Sequence, residues 1–227
     1  MANSKQQRQP TAQQAQEAAN HNKDGLRHFG QWEMEKAIDA FQVATDNDPD
    51  NPEYHLNLAR AYVRSGDYQE AMRSLGEYLR TETDENLASR YERLFSSALD
   101  DVEEVLIERM RELDMPMQQI GKGIQMWLEY RITLGRRPLD VQEPELWAAA
   151  LTYAVAKINL VPADRAVIAE AYGVTDRGVK DKYRELITTL DLMPGDYRYF
   201  TGDENPLDKL VEAAQLLEEI YERFHEG

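Results

Sequence analysis

The sequence contains no cysteine, which excludes disulfide bonds and thiol chemistry and leaves the redox compartment open. No apolar run is long enough to cross a bilayer, so no membrane partner is expected. The opening residues, MANSKQQRQPTAQQAQ, lack the apolar core of a signal peptide, and a cytoplasmic location is expected. Only four histidines occur, His21, His28, His55 and His225, and no two stand at a metal-ligand spacing such as i, i+4. IGKGIQ (Ile120–Gln125) has neither the Lys-Ser/Thr nor the preceding strand of a phosphate loop and reads as ordinary helix. Carboxylates are plentiful, but an acidic surface alone supplies that. No cofactor, no metal site and no catalytic residue is expected.

Positive charge is also scarce. The 227 residues carry 26 Lys and Arg against 42 Asp and Glu, a formal net charge of -16. The deficit is shared by both halves: residues 1–113 have a net charge of -9 and residues 114–227 one of -7. Binding to nucleic-acid phosphates draws on Lys and Arg displacing counterions, so nucleic acid is not an expected partner of either half.

What the chain has in abundance is helical periodicity. Residues 1–12 are polar and Gln-rich and read as a disordered tail. Beyond them almost every apolar pattern steps by three and four, and DYRYF (Asp196–Phe200) is the only strand-like piece. Two segments align at an offset of 34: Gly25 with Ala59, Ala37 with Ala71, Phe41 with Leu75, and Ala44 with Tyr78. Small residues at Gly25, Ala59, Ala37 and Ala71 allow paired helices to approach closely, and Phe41 and Tyr62 fill the space between them. Pro49 stands beyond a helix end, Gly66 is suited to end the next helix, and Asp67 to cap the one after. Over about residues 18–85 this resembles the tetratricopeptide repeat family, whose period is about 34 residues. The first copy departs from the pattern with His21 and His28 at positions usually taken by large residues. Two repeats are few for a self-supporting stack. Residues 86–113 keep helical spacing without Gly or Pro, which predicts one long helix of roughly 42 Å that caps the repeats and leads onward to Met115–Pro116.

The second half, 116–227, reads as four or five helices: Pro116–Leu134, a loop GRRPLDVQEP, an apolar helix Glu145–Leu160, a hairpin in DRAVIAEAYGVTDRGVKDKYREL (Asp164–Leu186), and Asn205–Phe224. Over roughly residues 117–192 this order is similar to one repeat of the cyclin-box fold as found in transcription factor IIB. There a comparable loop leads to an alanine-rich helix, and a turn like IAEAYGV precedes a helix ending in a stretch like YREL. This chain has one such repeat, no cysteine for a zinc ribbon, and acidic rather than basic character. The fold class predicted is therefore all-α: a short repeat array over 13–113, joined by the long helix to a cyclin-like bundle.

The hairpin supports two readings. As a DNA-reading helix-turn-helix it would offer Arg177, Lys180, Lys182 and Arg184 to phosphates, with Asp176 and Asp181 standing against them and no Asn or Gln to read adenine. As part of the bundle wall it would bury Ile168, Ala169, Val174, Val179 and Tyr183 against Ala148–Ala156. Trp147, Ala150, Tyr153, Ala154 and Ile158 are the core expected there. Met110, Met115, Met117 and Met126 read as core or adaptable contact residues, and Trp32, Trp127 and Trp147 as packing anchors.

The resemblance to the repeat family implies a concave face lined by the first helix of each pair. Asn22, Leu26 and Phe29 of the first repeat and Asn57, Arg60 and Arg64 of the second fall there, and Arg90 is placed to complete the groove. Arg60 and Arg64 are one helical turn apart and share a face. Arginines gathered on one wall of an acidic chain suit a protein or acidic peptide, or a chain terminus, because Arg holds carboxylates bidentately. The alternative is that these arginines pair with neighbouring acids on a solvated face. The function expected is non-catalytic protein or peptide binding; the alternative is a transcription regulator whose second half touches DNA or the transcription machinery. Oligomeric state is left open.

Overall fold

The computed structural model describes residues 10–95 and 99–202, and all regular structure among them is helical. The chain divides into two compact units. The first comprises the residues before Leu99 together with Arg131–Leu139, and the second comprises Leu99–Tyr130 and the residues from Asp140 onward. The expected helix Asn205–Phe224 and residues 1–9 of the expected tail lie outside the described residues.

The first unit contains α1 (Ala12–Gly30), α2 (Met34–Asn47), α3 (Pro52–Ser65), α4 (Tyr68–Thr81) and α5 (Glu85–Glu92), which runs into one 3₁₀ turn, Arg93–Phe95. Most helix starts of this unit have a side-chain cap. Thr11 and Gln14 form a capping box at α1, so helix begins within the stretch expected to be tail. Asn51 caps α3 with Pro52 in its first turn, and Asp67 accepts the Glu70 amide at α4. Helices pack in sequence, α1 on α2, α2 on α3, α3 on α4.

All eight residues of the 34-residue alignment are buried. Gly25 shows why. A Cβ built there would stand 2.5 Å from Cε1 of Phe41, so the ring occupies the space a side chain would need. The second repeat has Ala59 and Leu75 at the equivalent positions, both at 0% exposure. A smaller filler is matched with a larger floor, and the same spacing is kept.

The uninterrupted helix expected over 86–113 does not form. α5 ends at Glu92, and α6 (Asp101–Glu112) starts on its own capping box, in which Asp100 accepts the Glu103 amide and Glu103 accepts that of Asp100. The periodicity continues across the break because both helices bury one face. The Asp100/Glu103 capping box marks a new helix start.

The second unit holds α6, α7 (Met117–Thr133, whose last residues belong to the first unit), α8 (Pro144–Ile158), α9 (Arg165–Ala171) and α10 (Asp176–Leu190). α8 is central, with α6, α9 and α10 packed on it. It is buried at Trp147–Thr152, Ala154–Ala156 and Ile158. Tyr153, expected in the core, is only half-buried, edge-on to Tyr183 at 4.8 Å. Trp127, Tyr130 and Trp147 form an aromatic cluster with centroids 4.9–5.6 Å apart. DYRYF is a series of turns. Its Arg198 donates to Glu129 at 2.5 Å and to Asp196 at 2.7 Å, and Tyr199 donates to Glu129 at 2.5 Å, all four residues being buried. Burial opposes the Arg198 charge, but its hydrogen bonds to Asp196 and the attraction of Glu129 outweigh it and raise its pKa. The alternating sequence pattern here reflects an ion cluster facing inward.

The size complementarity between repeats gives a direct expectation. Gly25→Ala should lower unfolding stability by about 1–3 kcal/mol through overpacking against Phe41. Gly25→Ala/Phe41→Leu, which reproduces the Ala59/Leu75 pair, should recover most of that loss in urea denaturation. A double variant no more stable than Gly25→Ala would show that the two repeats do not share this packing rule.

Candidate functional site

α3 is the element that makes a site, because it is packed on two sides and still presents a polar stripe. Glu53, Asn57, Arg60 and Arg64 follow one another at steps of four, three and four, on one face of the helix. Facing them on α1 are Asn22, Leu26 and Phe29, at steps of four and three. The two stripes meet at both ends. The Asn57 amide donates to the Asn22 oxygen at 3.0 Å in a buried pair, and Arg60 and Arg64 stand 5.2 and 4.4 Å from the centroid of the Phe29 ring. Leu26 lies between these contacts on α1 and is 40% exposed.

The groove end is closed by the α1–α2 turn. Trp32 there has φ 61°, a left-handed conformation that costs a non-glycine residue about 1–2 kcal/mol. Its ring is 4.6 Å from the Arg64 guanidinium, which is thus stacked between Trp32 and Phe29. Trp32 is half-exposed, a rim residue where a buried anchor was expected. His28, in place of the family's usual large residue, bonds Glu33 at 2.5 Å across the same turn. Hydrogen bonds from Lys36 and His28 hold the Glu33 carboxyl down to about 2.

Sequence reasoning missed the opposite wall. Residues Arg131–Leu139 belong to the first unit, and Leu134–Arg137 face α3 across a cavity of about 460 Å³. Arg90 does not add its guanidinium to the groove. It donates to the carbonyls of Gly135 and, at 2.6 Å, Arg137, while the Tyr91 hydroxyl donates to Gly135 at 2.9 Å. Arg136 pairs with Glu82. Gly135 has φ +64°, which a side chain would strain, and this turn is what aims its carbonyl at both donors. No periodic pattern foretells such a contact, since it joins residues 45 apart through backbone oxygens; the GRR triplet was the only visible sign.

Arg60 is the unusual charge. Burial pushes its pKa down, and Arg64 and Arg137 nearby add to the effect. Its Nη1 donates to Asn57 at 2.9 Å, while Nε is buried without a hydrogen-bond partner. Other arginines of this unit sit in ion pairs one helical turn long, such as Arg27–Asp24, Arg73–Glu70 and Arg80–Glu77.

The second candidate surface looks different. α9 and α10 form a hairpin around Gly173, with Thr175 capping α10. Ile168, Ala169 and Val179 are buried, and Val174 and Tyr183 half-buried. Of the proposed phosphate contacts, Arg177 lies 3.9 Å and Arg184 3.3 Å from Asp181, and Lys182 lies 3.0 Å from Glu185, a third acid on the helix. Lys182 also sits over the Trp147 ring at 4.1 Å. Lys180 is exposed. Gly178 lies against Leu146, where a Cβ would come within 2.8 Å of that side chain, so it serves the packing of α10.

The tetratricopeptide repeat family model matches residues 29–94, which run from the end of α1 through α5 into its 3₁₀ turn. Repeats of that family mediate protein–protein interactions. No curated protein and no solved structure matches the chain.

The charge pattern on α10 leads to an expected outcome. In gel-shift titrations at physiological salt the full chain should show no sequence-selective duplex binding, because three of the four candidate cations, Arg177, Lys182 and Arg184, are already paired with acids of the same helix. Sub-micromolar selective binding that Arg177→Ala and Lys180→Ala abolish would contradict this.

Proposed function

We propose that the chain is a non-catalytic protein-binding adaptor whose first unit receives an acidic segment of a partner protein in the groove between α1, α3 and the Leu134–Arg137 loop. One observation carries the reading: Arg60 is desolvated beside two further arginines in a chain of net charge -16, with Nε left without a partner. A buried guanidinium of this kind is costly in the free chain. A carboxylate entering the groove would offset that charge, in a setting where charge-assisted hydrogen bonds are strong. The exposed Leu26 and the half-exposed Trp32 offer apolar contact beside it.

The second unit, on this reading, is a cyclin-like bundle. What supports that is the helix order, an alanine-rich central helix followed by a short hairpin. A transcription-related role for it draws on the same order. The pairing of the α10 cations with their own acids argues against direct DNA contact, leaving protein contact as the form such a role would take.

The test is display of random dodecapeptides against the full chain, followed by calorimetric titration of the enriched sequences. Enrichment of Asp and Glu is expected, with at least a tenfold loss of affinity in Arg60→Ala, which corresponds to about 1.4 kcal/mol. Enrichment without acidic residues, or an Arg60→Ala affinity within twofold of the parent, would overturn the reading.

A further inference from the structure

We infer that the cavity between α3 and the Leu134–Arg137 loop is a carboxylate site assembled from two distant parts of the chain, with Arg60 and Arg137 as its ligand contacts and Arg90 as the residue that positions the second wall. This rests on the groove being the partner-binding surface, and it assigns half of that surface to residues outside the repeats.

Four of the cavity's lining residues, among them Asn57 and Arg60, come from α3, and four from Leu134–Arg137. Its charges sort into committed and uncommitted ones. Arg136 is neutralised by Glu82. Arg137 uses Nε on the Leu134 carbonyl at 3.2 Å, and this leaves both terminal nitrogens available. Arg60 has spent Nη1 on Asn57. Two uncommitted guanidiniums therefore face one cavity from opposite walls, and Glu53 at the lining cancels one of the two charges. The remaining single positive charge fits a monoanionic carboxylate better than a dianionic phosphate, which Glu53 would repel. Leu56 and Leu134 provide apolar walls for the methylene stem that carries such a group.

The loop has no regular structure of its own to hold it. Arg90 supplies the hold through the Gly135 and Arg137 carbonyls, helped by Tyr91. Arg90 donates away from the cavity, so its effect on a ligand passes through the placement of Arg137.

The experiment is an NMR titration of the ¹⁵N-labelled full chain that follows the arginine Nε–H resonances. Sodium acetate, sodium phosphate and sodium chloride are compared at equal ionic strength. Acetate should move Arg60 and Arg137 together along one saturating curve, with phosphate and chloride weaker. Arg137→Gln should weaken acetate about tenfold. Arg90→Gln should weaken it by a similar factor and speed amide exchange at Gly135 and Arg137, with the thermal melt unchanged and Arg90→Lys restoring part of the affinity. Arg60 shifting without Arg137, an Arg137→Gln affinity within twofold of the parent, or phosphate binding more tightly than acetate would overturn the inference. Display-selected peptides complete the separation of the two readings. A peptide that still binds Arg137→Gln at parental affinity sinks this inference and leaves the groove. A peptide that fails to compete with saturating acetate sinks the groove reading and leaves the carboxylate site.

Discussion

The contact of the Phe41 ring with the bare backbone at Gly25 sets the distance between α1 and α2, and the rest of the first unit depends on it. With that distance fixed, α3 packs against both α1 and α2, and Ala59 and Ala71 repeat the arrangement with α4. Ten residues of α3 are buried, far more than its partners, because it is covered from both sides. A helix so placed has only one narrow face left, and that face carries Asn57 and Arg60. The arginine stripe is therefore held in a concave, poorly hydrated position by apolar packing on the opposite side of its own helix. Charge and packing belong to one design here: the groove exists because small residues let the helices close, and its electrostatics are sharp because closing them removed water.

The distribution of ion pairs gives the charge of the chain its meaning. A group of cations that includes Arg27, Arg73, Arg80 and Arg109 lies a helical turn from an acid, in exposed pairs worth little to stability. Arg177, Lys182 and Arg184 of α10 belong to this class, which weakens the case for a DNA-reading surface. Arg198, buried with Glu129 and Asp196, is the opposite extreme: a fully compensated cluster tying the turn after α10 to α7 and α8. Arg60 fits neither class: it is desolvated and forms no ion pair, although Glu53 lies on the same cavity lining.

Much of the fold was legible because it follows from periodic patterns. The 34-residue offset picked out Ala37, Phe41, Ala71 and Leu75, all buried, and the apolar run around Ala148–Ala156 marked the central helix of the second unit. The capping residue Asp67 acts where the sequence placed it. What escaped was carried by aperiodic contacts. The fresh helix start at Asp101 rests on the Asp100/Glu103 capping box inside an unbroken apolar pattern. Arg90 was placed in the groove by its position, while its guanidinium is fastened to carbonyls 45 and 47 residues away. The loop at Gly135 was legible as a loop, but its membership of the first unit depends on those same bonds. Asn22, Phe29, Asn57, Arg60 and Arg64 do come together, since family spacing and helical geometry agree on that face.

If the groove holds a guanidinium kept for a ligand, the free chain bears that cost, and relieving it should be nearly free of penalty. The unfolding free energy of Arg60→Met, measured by urea denaturation without any ligand, tests this most directly. The substitution removes one hydrogen bond to Asn57 and a stacking contact with Phe29, but also the desolvated charge, and a long apolar side chain can refill the space. Stability within about 1 kcal/mol of the parent is expected. A loss of about 3 kcal/mol or more, the size seen when one partner of a buried ion pair is removed, would mean that Arg60 is part of the structure's own charge balance and not a site held open for a partner.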